Sequence, residues 1–268
     1  MSDVFVWILI GVGLIGGIGA PLLLREKVES IALYTIGWVW WFLFAFVGSQ
    51  VMLALLMLPF EKKLFQQPAF VVTLQFLVYL VMFLVMILLP WRHWKRNKKS
   101  TAKHKRRFVL KVSGLDRRPN WEDVKRFIAY FPSYFVINMA AALILTLLVG
   151  PDIMGQEQNT GFTQEGNSPF ALGLIFLCLV VLAPLFEEML VRGVLFGKLR
   201  EKLKFWPVAL LTATIFALIH GQFNVGVMTF ILALFAAALR EKTGAIWSGI
   251  MLHMTQNLIA FCLLFLVK

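Results

Sequence analysis

Apolar runs separated by short polar stretches recur along the chain, at about 4–24, 33–58, 70–91, 128–150, 169–197, 206–222, 225–240 and 244–266. Most approach or exceed the roughly 20 residues that an α-helix needs to cross a hydrocarbon core. The pattern predicts an all-α, polytopic transmembrane helix bundle of about eight spans. The seventh run is short for a full crossing, and the second reads equally as a long tilted helix or a broken one. Between the third and fourth runs, Gly114 to Arg126 holds an N-cap-like start, Pro119-Asn120-Trp121-Glu122-Asp123, and predicts a short amphipathic helix lying on the membrane surface.

Composition agrees: the 268 residues are 60% hydrophobic, with a mean hydropathy of +0.80. The first run has no basic stretch before it and no small-x-small cleavage site ahead of Arg25, so it reads as a retained helix rather than a signal peptide. It carries Gly13 and Gly17, a small-xxx-small pair suited to close helix packing within the bundle. Cys178 and Cys262 both fall in apolar runs, where a small buried hydrophobe is the expected role.

The net charge of +12 is unevenly spread, with 14 of the 26 Lys and Arg lying between Arg92 and Arg126. The positive-inside rule puts that segment in the cytoplasm. Alternation then brings Arg25, Lys27, Lys198 to Lys204, Arg240 and Lys242 to the same side, and leaves Lys62, Lys63 and Lys268 outside. The loop from Pro151 to Ser168, with Asp152, Glu157 and Glu165 and no basic residue, faces out. Basic and aromatic residues alternate in Trp91-Arg92-His93-Trp94-Lys95-Arg96, a composition that can bind nucleic acid. Beside a span, however, such residues meet anionic headgroups, so the expected partner is membrane lipid and not nucleic acid.

The outward loop divides the chain. Residues 1–150 read as N-terminal transmembrane helices with the basic loop at about 92–127, and their spans contain no charge and no histidine. Residues 169–268 read as a core holding every intramembrane ionisable group: Glu187, Glu188, Arg192, His220 and His253. On insertion scales each charge near a helix centre costs roughly 2.5–3.5 kcal/mol, so a cluster of this kind is a functional hypothesis by default.

On one helix Glu188 and Arg192 share a face at i and i+4 and can pair, while Glu187 points about 100° away and is the freer base. Phe216 and His220 share a face of the sixth run, and His253 and Asn257 share a face of the eighth. From the cytoplasmic helix ends, Glu187, His220 and His253 lie roughly 15, 21 and 14 Å deep, close to one layer. A general base, a proton partner and two groups able to meet a developing oxyanion are what adding water to an amide carbonyl requires. Asn224, four residues after His220, reads as either a partner to the site or a helix cap and is left outside it.

Glu-Glu-x-x-x-Arg at 187–192, Phe-x-x-x-His at 216–220 and His-x-x-x-Asn at 253–257, in order on successive membrane helices, resemble the three motifs of the type II CAAX prenyl endopeptidase family, also called the CPBP or ABI family of membrane proteases. The resemblance covers about residues 169–265. It implies an intramembrane endopeptidase acting on a membrane-associated peptide or protein, prenylated or not. Glu187 and His220 would activate water, and His253 and Asn257 would stabilise the oxyanion. Glu188, Arg192 and Phe216 would shape the site. No H-E-x-x-H stands on one helix. No cofactor is expected, the alternative being zinc held by Glu187, His220 and His253. A bacterial-type enzyme of the prokaryotic plasma membrane fits the chain's size and compact loops. The competing readings are a non-catalytic membrane scaffold or regulator of the same fold and a proton-coupled transporter.

Overall fold

The computed structural model describes residues 30–57, 67–95, 110–156, 162 and 167–266, with side chains described except at 52–57 and 87–95. The expected first span, its glycine pair and most of the basic loop lie outside them. Among the described residues there is no strand. The helices are α1 (Ile31–Met57), α2 (Pro68–Lys95), α3 (Trp121–Val149), α4 (Pro151–Met154), α5 (Pro169–Arg200), α6 (Phe205–Leu218), α7 (Phe223–Thr243) and α8 (Trp247–Phe265). Six of them, α1, α2, α3, α5, α7 and α8, are long and apolar enough to cross a membrane, and α6 is a shorter apolar helix. The chain is an all-α integral membrane protein.

Two compact units divide the chain, one comprising residues 1–109 and 166–178, the other 110–165 and 179–268. In the first, α1 packs on α2, and α2 on the start of α5. Phe42, Ala45, Met82 and Met86 are buried there. The expected second span is one unbroken helix of 27 residues.

In the second unit α7 is central, packing against α3, α6 and α8. Small residues explain the closeness: Ala233, Ala236 and Ala237 are buried on α7, and a Cβ at Gly226 would stand 3.2 Å from the carbonyl oxygen of Ala217 on α6. Tyr134, Leu232, Leu239 and Leu252 form a core from α3, α7 and α8, with Phe127, Phe131 and Phe235 against it. The opposite side of α3 exposes Val136, Leu143 and Leu147, as a helix facing lipid does.

The separate surface helix expected at 114–126 is not formed. Gly114 to Asn120 is a loop, and the capping box of Asn120 and Asp123 starts α3 itself, which runs on to Val149. Nothing after Arg126 ends that helix, because Phe127 and Ile128 continue its apolar pattern and Pro132 is accommodated inside it. The loop is held down by a polar knot. Arg117 donates from both terminal nitrogens to the carboxylate of buried Asp123, each at 2.6 Å, Ser248 on α8 donates to the Asp123 carbonyl at 3.0 Å, and Trp247 donates to the Arg117 carbonyl at 2.8 Å. The turn before it presses on α5 at Gly193, where a Cβ would collide with the carbonyl oxygen of Ser113. Glycine is required there by contact with backbone, which cannot move aside. These contacts anchor one end of the helices that carry the ionisable groups.

Candidate active site

α5 is not a uniform helix. Its segments Leu177–Leu182 and Met189–Phe196 are π-helical, and between them Ala183–Glu188 is α-helical, carrying both glutamates at its end. Departures of this kind from the α pattern are frequent at functional sites.

The glutamates sit in different surroundings. Glu188 is fully buried, and its Oε1 lies 3.3 Å from Nη1 of equally buried Arg192, the pairing that i,i+4 spacing predicts. The contact is electrostatic rather than a well-aligned hydrogen bond, since neither terminal nitrogen of Arg192 has a hydrogen-bond partner among the described residues. The guanidinium carbon instead stands 4.6 Å from the ring centroid of Phe216, a cation–π contact from α6. The other oxygen of Glu188 faces Gly249 on α8, where a Cβ would come within 3.2 Å of it. Gly249 thus allows α8 to close over the carboxylate. The Glu187 side chain, in contrast, is 21% exposed.

His253 joins the two. Its Nδ1 lies 3.3 Å from Glu188 Oε1 and its Nε2 3.7 Å from Glu187 Oε2. A carboxylate oxygen can only accept, so Nδ1–H donates to Glu188 and fixes the ring with Nε2 towards Glu187. The sequence reading coupled Glu187 to His220 and did not anticipate that His253 would touch both acids.

His220 lies beyond the end of α6, on the turn that leads into α7. The expected span 206–222 ends as a helix at Leu218, and Gly221, with φ of +69°, completes the turn. Fourteen residues extend about 21 Å, so α6 stops short of a full crossing. Non-helical backbone at such depth is tolerated where protein or a water-filled cavity surrounds it. His220 Nδ1–H donates to the Phe216 carbonyl at 2.6 Å, which leaves the Nε2 lone pair as an acceptor. The Phe216 ring packs edge-on against both imidazoles, with centroids 4.8 Å from His220 and 5.8 Å from His253. Wholly buried, Phe216 is the apolar contact common to Arg192, His220 and His253.

Asn257, one turn beyond His253, donates from Nδ2 to the carbonyl of Leu179 on α5 at 2.8 Å. One of its two N–H groups is thereby engaged, and the second is the one available to a ligand. Asn224 does not cap α7, whose N-cap is Gln222. It is buried and donates to the carbonyls of Met154 at 3.3 Å and Gln156 at 2.6 Å, tying the segment after α4 to the start of α7. Among the described residues no group of three or more His, Cys, Asp or Glu is placed to hold a metal ion.

Gly249 and Leu179 are not among the residues the sequence singles out. A glycine four residues before His253 carried a signal in its spacing, since it shares a face with the imidazole. Leu179 acts through its backbone and carried none.

Residues 169–259 match the family described as type II CAAX prenyl endopeptidase Rce1-like. Among curated proteins, "Putative membrane peptidase YdiL" of Bacillus subtilis (strain 168) is 28% identical over 87 residues, 32% of this chain and 36% of that protein. The match therefore spans about a third of the length of that relative. No solved structure gives a significant match. The matched region contains all three motifs, carried on α5, on α6 with its following turn and on α8, and in residues 169–259 this chain is similar to the Rce1-like type II CAAX prenyl endopeptidases.

Proposed function

We propose that the protein is an intramembrane endopeptidase that hydrolyses a peptide bond of a membrane-associated peptide or protein. The observation that carries this reading is the placement of His253 between a partly exposed acid, Glu187, and a buried one, Glu188, within a membrane helix unit. Glu187 takes a proton from water while the water oxygen attacks the carbonyl carbon. His220, with Nδ1–H committed to Phe216, accepts the other water hydrogen at Nε2 and orients the nucleophile. Negative charge developing on the carbonyl oxygen is met by the second N–H of Asn257 and by His253. Glu187 then returns its proton to the leaving nitrogen as the C–N bond breaks.

The test is cleavage of a library of membrane-inserted and prenylated peptides by the purified protein, with products identified by mass. A protease yields discrete fragments that depend on Glu187, whereas a scaffold binds peptides and leaves them whole. The same preparation decides the role of metal. The proposed hydrolysis is metal-free, and stoichiometric zinc that activity requires and that His220→Ala and His253→Ala both lose would replace it.

The membrane in question is proposed to be the prokaryotic plasma membrane, with residues 92–126 cytoplasmic and 151–168 outside. A cysteine replacing Gln158 in a chain without Cys178 and Cys262 should label in intact cells with an impermeant reagent, and one replacing Ser100 should not. The reverse pattern inverts the orientation.

A further inference from the structure

The contact between Asn257 and Leu179 has a cause in the backbone of α5. Under the i→i+5 pattern of the π-helical segment Leu177–Leu182, the carbonyl of residue 179 would look to the N–H of residue 184 for its hydrogen bond. Residue 184 is proline, buried in the first turn of the α-helical segment that follows, and it has no N–H to give. A carbonyl deprived of its donor inside a membrane protein needs another, because no bulk water is at hand. Asn257 Nδ2 supplies it at 2.8 Å, reaching across from α8, which packs on this same segment of α5.

We infer that Pro184 is a positioning residue: by withholding the backbone donor of Leu179, it creates the acceptor that fixes the carboxamide of Asn257. One N–H of Asn257 is anchored to α5, and the rigid amide plane then sets the direction of the other. That second N–H is the oxyanion donor of the proposed hydrolysis, so the catalytic consequence rests on that reading, whereas the anchoring does not. Three residues after Pro184 comes Glu187, so the same helix segment places the base and holds the oxyanion donor. A proline here does more than tolerate a helix break. It couples the two sides of the site.

Pro184→Ala restores an N–H that can return to the Leu179 carbonyl in competition with Asn257. Turnover should fall by about ten- to a hundredfold, the scale on which a misplaced group loses rate, with KM within a few fold. The decisive measurement needs no activity. Asn257→Ala leaves the Leu179 carbonyl without its side-chain donor and lowers the melting temperature in detergent. Adding Pro184→Ala to that variant supplies the donor from the backbone and should raise the melting temperature by about 2–4 °C, the shift expected for one regained hydrogen bond. In the wild-type background the same substitution should bring no such gain. If Asn257→Ala does not accumulate as folded protein, recovery of folded protein in the double variant is the equivalent readout. Equal shifts from Pro184→Ala in both backgrounds, or no recovery in the double variant, overturn the inference. Recovery of stability in the double variant without any cleavage by the wild-type protein would uphold the anchoring and reject the protease.

Discussion

Glu187→Gln should lower turnover by at least about a hundredfold, the lower range for loss of a general base, in a protein that remains folded. The argument rests on the different burial of two neighbouring acids. Glu188 is fully enclosed and committed to Arg192 and to His253 Nδ1. Glu187, 21% exposed, is the one that water can reach. Glutamine keeps the shape and can still donate to or accept from its surroundings, so the helix and its packing are retained while the proton acceptor is lost. The measurement is the rate of peptide cleavage at saturating substrate beside a thermal melt of the same sample. A variant that melts like the wild type and cleaves at the wild-type rate would remove Glu187 from the mechanism. One that neither cleaves nor folds would show that Glu187 is structural.

Much of this was legible in the pattern of residues because a membrane restricts what the chain can do. Hydropathy located α1, α2, α5, α7 and α8 to within a few residues, since a span must be long, apolar and internally hydrogen-bonded. The i,i+4 rule paired Glu188 with Arg192, and the structure has that contact at 3.3 Å. Local rules failed where tertiary contact decides. The segment 114–126 looked like a surface helix because its charges are amphipathically placed, yet Asp123 is buried by Arg117 and Ser248, residues whose approach no local pattern announces. His220 looks intrahelical because it directly follows the apolar run of α6, and nothing local shows that the helix stops at Leu218. The sharing of His253 between two acids depends on α8 closing over α5 at Gly249, a long-range fact. The π-helical register of α5, which decides which carbonyl Pro184 deprives, is invisible to hydropathy.

The largest loss of stability should follow Glu188→Gln, and it should exceed that of Arg192→Met although the two residues form one ion pair. Removing either partner of a buried pair costs about 3–5 kcal/mol, because the other is left charged without compensation. The two remnants differ. A stranded Glu188 can take up a proton and become neutral, and it keeps His253 at 3.3 Å. A stranded Arg192 cannot shed its charge, and its terminal nitrogens have no hydrogen-bond partner among the described residues; what remains is the Phe216 ring, which offers only a cation–π contact, and the partly exposed charge of Glu187. Glu188→Gln should therefore show the lower melting temperature in detergent and the lower yield of folded protein. Glu188→Gln combined with Arg192→Met removes both charges and should recover a substantial part of the loss, as replacing a whole buried pair usually does. Additive losses in the double variant would mean that each residue stabilises the helix unit through contacts other than their mutual attraction. Equal losses from the two single variants would place the guanidinium in a more polar setting than its 1% exposure implies.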